Sequence, residues 1–229
     1  MENIKFHCSS LGKIMTNPKL KVDMDAGNLS ETAKTHIEEV WLKNNHGYKD
    51  TTISNELIKG VVCELQSIDL LMQNDSEVRS KNKQRFENDF IQGEPDVILS
   101  DSIEDVKTSW SLKTFFNAEL DKDYWWQGQG YMSLLGIKKY RLIYCLIDTP
   151  SELVTKEINY QIGKLKMAVT DGYFDIEKIA GQIKLNHTFT HMPIEKRIKV
   201  FEFDYDENEV KRMESKVLKA REYYKSLSL

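Results

Sequence analysis

The run Tyr140-Arg141-Leu142-Ile143-Tyr144-Cys145-Leu146-Ile147 constrains the fold more than any other part of the chain. It is too apolar to leave either face in water and reads as a central strand covered on both sides. Such a strand needs neighbouring strands and flanking helices, and the surrounding letters supply both. Ser30 can cap a helix to about residue 44, with Ala33, Ile37, Val40 and Trp41 on one stripe. Ser54 can cap a second helix to about Gln73, with Leu57, Val61, Leu65, Ile68 and Met72 as its apolar stripe and Glu64 on the edge of it.

Residues 74–88 are polar and read as a mobile loop with a basic tint. Three short strands near 89–92, 96–100 and 103–109 are expected to form a meander. Helices are expected at 122–135, 151–169, 175–184 and 206–227, the last with Val210, Met213, Val217 and Leu218 as its packing face. "RIKVFEF" (197–203) alternates with period two, as a strand does. The order predicts an α/β fold, a mixed central sheet flanked by helices. At 229 residues, with no repeat or linker, the whole chain (1–229) is expected to be one domain.

Composition excludes some classes. No apolar stretch approaches the roughly 18 residues of a membrane span, and the first ten residues do not resemble a signal peptide. Cys8, Cys63 and Cys145 lie far apart and read as reduced thiols of a cytoplasmic protein. A net charge of −4 gives no bulk attraction to nucleic acid, although a local basic groove is compatible with it.

The chemistry concentrates in "GEPDVILSDSIEDVK", residues 93–107. On a strand, Asp105 and Lys107 share a face with Ile103, while Glu104 and Val106 point the other way. Asp96 comes beside Asp105 if the turn Ser100-Asp101-Ser102 is tight. With Glu64 reaching the same spot from its helix, three carboxylates would face one lysine. Each carboxylate pair about 4 Å apart repels by roughly 4 kcal/mol at an effective dielectric near 20. A divalent cation with hard oxygen ligands, Mg²⁺ or Mn²⁺, would relieve that conflict.

Pro95-Asp96 followed by Asp105-Val106-Lys107 resembles the PD-(D/E)XK nuclease superfamily. Gly60 and Glu64 are similar to the helical Gly-x-x-x-Glu of its RecB-like members. Gln127 and Tyr131 match the Q-x-x-x-Y that follows the core motif, and the run from Gln127 to Gly136 resembles the lambda-exonuclease/YqaJ branch used by phages. Asp105 stands where Glu is commoner, and Thr108-Ser109-Trp110 replaces a frequent Cys-Pro.

The resemblance implies a restriction-endonuclease-like fold and a Mg²⁺-dependent deoxyribonuclease, with Mn²⁺ able to substitute. Glu64, Asp96, Asp105 and the carbonyl of Val106 would hold metal, and Lys107 would position or deprotonate the attacking water. Gln127 and Tyr131 would contact DNA phosphate or orient Lys107, and Ser10 in "CSSLGKIMT" would bind the phosphate of a DNA end. The implied substrate is linear double-stranded DNA, resected from its ends for phage-type recombination. The implied partners are a single-strand annealing protein and further copies of the chain, ring-like trimers in some relatives. An endonuclease of the same fold in DNA repair, or an inactive DNA-binding or assembly module, would carry the same letters. The stretch Arg79–Arg85 either contacts DNA backbone or is a solvated loop. His187 and His191 have zinc-ligand spacing, but Thr188 replaces the expected Glu and the segment reads as extended chain.

Overall fold

The computed structural model describes residues 4–168 and 174–229. Strand β1 (Phe6–His7) passes through a 3-10 turn into helices α1 (Leu11–Met15), α2 (Lys21–Asp25) and α3 (Glu31–His46). Ser30 caps α3 by accepting from Ala33 N, and Ala33 and Ile37 are buried, with Val40 and Trp41 half-buried on the same stripe. Helices α4 (Asn55–Val62) and α5 (Glu64–Asp75) follow. Next come β2 (Phe86–Glu87), β3 (Ile91–Gly93), β4 (Val97–Ile98) and β5 (Ile103–Thr108). Helices α6 (Leu112–Phe116) and α7 (Lys122–Leu135) lead to β6 (Lys139–Cys145). The chain closes with α8 (Ser151–Ala168), α9 (Ile176–Asn186), β7 (Ile198–Asp204) and α10 (Glu207–Ser226). Residue 169, the expected end of α8, lies outside the described residues.

The main sheet has the order β4-β5-β6-β7, with β5 parallel to β6 and the two outer pairs antiparallel. The apolar run is thus an inner strand, with Tyr140, Leu142, Ile143 and Cys145 at most 1% exposed. Its two faces feed two cores. Tyr140 and Leu142 pack with Trp126, Tyr131 and Met132 of α7, while Ile143 and Cys145 join Val106, Ile68 and Leu71 on the α5 side.

Four expectations need correction. The helix drawn from residue 54 to 73 is two helices, because the backbone bends at Cys63 (φ −102°, ψ 4°). Its apolar stripe breaks there too: Ile68 and Leu71 are buried on the sheet, whereas Leu57, Val61 and Leu65 are exposed. The meander is not formed. β3 pairs with β1 and β2 in a separate three-stranded sheet, and of the three expected strands β4 and β5 alone pair with each other. Pro95, which has no N–H to donate, interrupts the ladder between β3 and β4. Residues 74–88 are not simply a solvated loop, since they contain β2 and the buried Arg79. On α10, Val210, Met213 and Val217 are buried but Leu218 is half exposed, so Ala220 completes that face instead.

Candidate active site

β5 delivers two of the site's side chains by strand alternation. Asp105 and Lys107 point toward α7, and Lys107 Nζ lies 2.6 Å from Asp105 Oδ2. That oxygen is buried and accepts no well-directed hydrogen bond, so the contact is a charge pair with one lone-pair direction left open. The other oxygen, Oδ1, accepts from Gln127 Nε2 at 3.0 Å. Burial pushes the Asp105 carboxyl up to about 6, with Lys107 pulling the other way. Burial alone would lower the Lys107 ammonium, but Asp105 and Asp96 outweigh it and hold the group above the usual lysine range. The ammonium also stands 5.1 Å from the centre of the Tyr124 ring.

Asp96 ends the Pro95 interruption and enters β4. The turn is tight, with Leu99 N donating to Ser102 O at 2.9 Å. It brings Asp96 Oδ2 onto Val106 N at 2.8 Å, which fixes the carboxylate against β5. Glu64 is the first residue of α5, placed by the bend at Cys63. Its Oε1 meets Lys81 Nζ at 2.7 Å, and the same ammonium lies 2.5 Å from Asp96 Oδ1.

Lys81 is the residue that the sequence reading missed. It lies in a polar run with no periodicity, and no motif marks it. Its presence changes the electrostatics: two ammonium groups, not one, face the three carboxylates. The expected tight convergence of all three acids is also incomplete. Among the described residues, no three His, Cys, Asp or Glu side chains are grouped closely enough to hold a metal as they stand. Glu64 and Asp96 are joined through Lys81, and Asp105 is held beside Lys107 and Gln127.

These groups border a cleft of about 560 Å³ that Glu64, Asp96, Lys107, Trp110 and Tyr124 help to line. Gly60 also lines it, and a Cβ there would meet no atom within 4 Å. Gln127 and Tyr131 lie one turn apart on α7 but are only 6% and 5% exposed. Gln127 contacts Asp105 and not Lys107, and Tyr131 donates to Glu94 O at 3.3 Å. Gln127 thus holds Asp105 directly, and Tyr131 is linked to it only through the Gln127 amide at 3.4 Å. Ser10 is not among the residues that line the cleft, and its hydroxyl donates to His7 O at 2.9 Å. His187 accepts or donates through Nδ1 to Thr149 and packs edge-on to Trp110, a structural role.

A four-stranded mixed sheet with Asp96 just before β4, Asp105 and Lys107 on the adjoining β5, and helices on both faces is the architecture that the resemblance implied. A phage-related exonuclease from Haemophilus somnus 129PT superposes with a TM-score of 0.76 at 27% identity, covering 97% of this chain and 94% of that one. An alkaline exonuclease from Laribacter hongkongensis shares the fold at 10% identity (TM-score 0.63, covering 98% of this chain and 90% of that one). A structure of the latter in complex with dAMP gives a TM-score of 0.60 at 11% identity, with 97% and 88% covered. No family model and no curated protein matches the chain. The chain shares the fold of these exonucleases, in keeping with its resemblance to the PD-(D/E)XK nucleases, and the 27% identity to the phage-related exonuclease over nearly the whole of both chains supports a nuclease. No helix among the described residues is long and apolar enough to cross a membrane.

Proposed function

We propose that this protein is a Mg²⁺-dependent exodeoxyribonuclease, also active with Mn²⁺, that resects linear double-stranded DNA from its ends. The observation that carries the reading is the near full-length superposition on a phage-related exonuclease, with Glu64, Asp96 and Lys107 lining one cleft and Asp105 buried against Lys107. The donor set suits a hard cation: the carboxylates of Glu64, Asp96 and Asp105 and the carbonyl of Val106 are all oxygen ligands, and Asp105 Oδ2 is buried with an open lone-pair direction. A divalent ion held by them would polarise the scissile phosphoryl group and acidify a water.

The chain's own residues then have distinct tasks. Lys107, beside Asp105 at the cleft, would position the attacking water and meet developing negative charge. Gln127 fixes the rotation of the Asp105 carboxylate, and the Val106 N–H does the same for Asp96. The whole chain would act as a single nuclease domain in the cytoplasm. Resected strands would pass to a single-strand annealing partner, and several copies of the chain would surround the duplex.

End-labelled linear DNA and covalently closed circles test the reading. The parent protein should release nucleotides from the linear form only, and only with Mg²⁺ or Mn²⁺. Lys107→Ala and Asp105→Asn should lose at least a hundredfold in rate while retaining the fold by circular dichroism, an effect on the order of one lost electrostatic or proton-handling group. Equal cutting of closed circles would end the exonuclease reading. Parent-like digestion by both variants would overturn the site assignment.

A further inference from the structure

Lys81 holds two carboxylates of the site with one ammonium, Glu64 at 2.7 Å and Asp96 at 2.5 Å. Both are among the residues assigned above to metal, so the following inference rests on that reading. A Lys ammonium is a compact point charge with three donors, and two carboxylate oxygens satisfy most of it. Without it, Glu64 and Asp96 would confront each other across the same gap with no intervening charge. The third acid, Asp105, already has a cation of its own in Lys107.

The backbone around Lys81 is anchored on both sides. Two residues earlier, Arg79 is buried on Glu104 and Asp75. One residue later, Asn82 N donates to Asp96 O at 2.7 Å and its side chain donates to Pro95 O at 3.0 Å. The base of the Lys81 side chain is therefore fixed, while its four-carbon stem rotates freely enough for the ammonium to withdraw. The Lys81 side chain retains 20% exposure, so it has a route to solvent.

We propose that Lys81 is an internal stand-in cation. It neutralises Glu64 and Asp96 in the metal-free protein, and a divalent ion must displace its ammonium to bind. Lys81 is thus a positioning residue that keeps the acids together before metal arrives and sets how tightly metal is held. Displacement explains why the three acids are gathered near one cleft and yet are not closed into a metal cage.

The test is calorimetric titration of Mn²⁺, without DNA, into the parent protein, Lys81→Met and Asp105→Asn. Removing the competing ammonium should tighten Mn²⁺ binding by about tenfold in Lys81→Met, while Asp105→Asn should weaken it. Equal or weaker binding by Lys81→Met would overturn the stand-in role, even with the metal site intact. If Asp105→Asn bound like the parent, the metal reading itself would fail and this inference with it. Should Lys81→Met not fold, the parent protein supplies the second measurement, the lysine ammonium ¹H–¹⁵N spectrum. The Lys81 Nζ signal should shift or broaden to solvent exchange at saturating Mg²⁺. A signal unchanged by Mg²⁺ that the calorimeter shows to be bound would equally overturn the proposal.

Discussion

Arg79 grips Glu104 through two hydrogen bonds, Nε to Oε2 at 2.7 Å and Nη2 to Oε1 at 3.1 Å, with the two side chains 2% and 0% exposed. Asp75, at the end of α5, takes the other edge of the same guanidinium at 2.7 and 2.8 Å. The fork thus ties α5, the strand β5 and the segment that carries Lys81. Removing Arg79 would leave the buried Glu104 with only Arg141 Nη1, at 3.5 Å, and breaking a buried pair costs roughly 3–5 kcal/mol. Arg79→Ala is expected to lose about that much in urea denaturation. A loss under 1 kcal/mol would show that the pair is not a structural tie.

Two glycines should respond in opposite directions. A Cβ on Gly128 would fall 2.6 Å from Phe203 Cζ and 2.8 Å from Tyr140 Cδ1, both rings of the core. Gly128→Ala is expected to destabilise by roughly 1–3 kcal/mol, as overpacking does. A Cβ on Gly163, inside α8, would meet nothing within 4 Å, so Gly163→Ala should stabilise by about 0.5–1 kcal/mol. Thermal denaturation of the two variants side by side measures both signs.

Stability should depend on pH through His187. Burial, with Lys59 adding to it, lowers the His187 pKa below its ordinary value near 6.5, and Glu157 opposes only in part. The unfolded chain therefore takes up this proton before the folded one does. Stability rises with pH across the window between the depressed folded value and 6.5, and it falls as pH drops through that window. Asp105 contributes with the opposite sign between 3.8 and about 6, but it does so equally in a variant that keeps it. His187→Gln should therefore lose less melting temperature than the parent between pH 7 and pH 5. An identical pH slope in both proteins would refute the assignment.

The thiols should be inert in the native protein. Cys8, Cys63 and Cys145 are all 0% exposed, and burial pushes the Cys145 thiol up to about 12. Reaction with a thiol reagent at pH 8 is then limited by opening of the structure. Mass spectrometry should find all three unlabelled in buffer and labelled in denaturant. Rapid native labelling of Cys63 would reveal local opening at the α4–α5 bend.

The sequence was legible where local pattern and burial agree. The helix at 122–135 and the strand from Tyr140 lie where period and apolar content placed them, because each buries a continuous face. The α4–α5 bend was not legible, since Leu57, Val61 and Leu65 keep helical spacing whether or not a core receives them. Asp96, Asp105 and Lys107 could be found because strand alternation and one tight turn fix their relation. Lys81 could not be found, because its position depends on long-range anchors, Arg79 to Glu104 and Asn82 to the Pro95–Asp96 backbone. The separation of β3 from the main sheet likewise depends on β1, supplied from the far N-terminus.

β5 and β6 run in parallel, so the chain cannot join them by a hairpin and must first cross over through α6 and α7. The crossover brings Gln127 onto Asp105. A chain emerging from the ribosome therefore displays its acids well before the segment that orients them is in place. Any nuclease activity should arise only with the finished architecture, once α7 has docked Gln127 against Asp105.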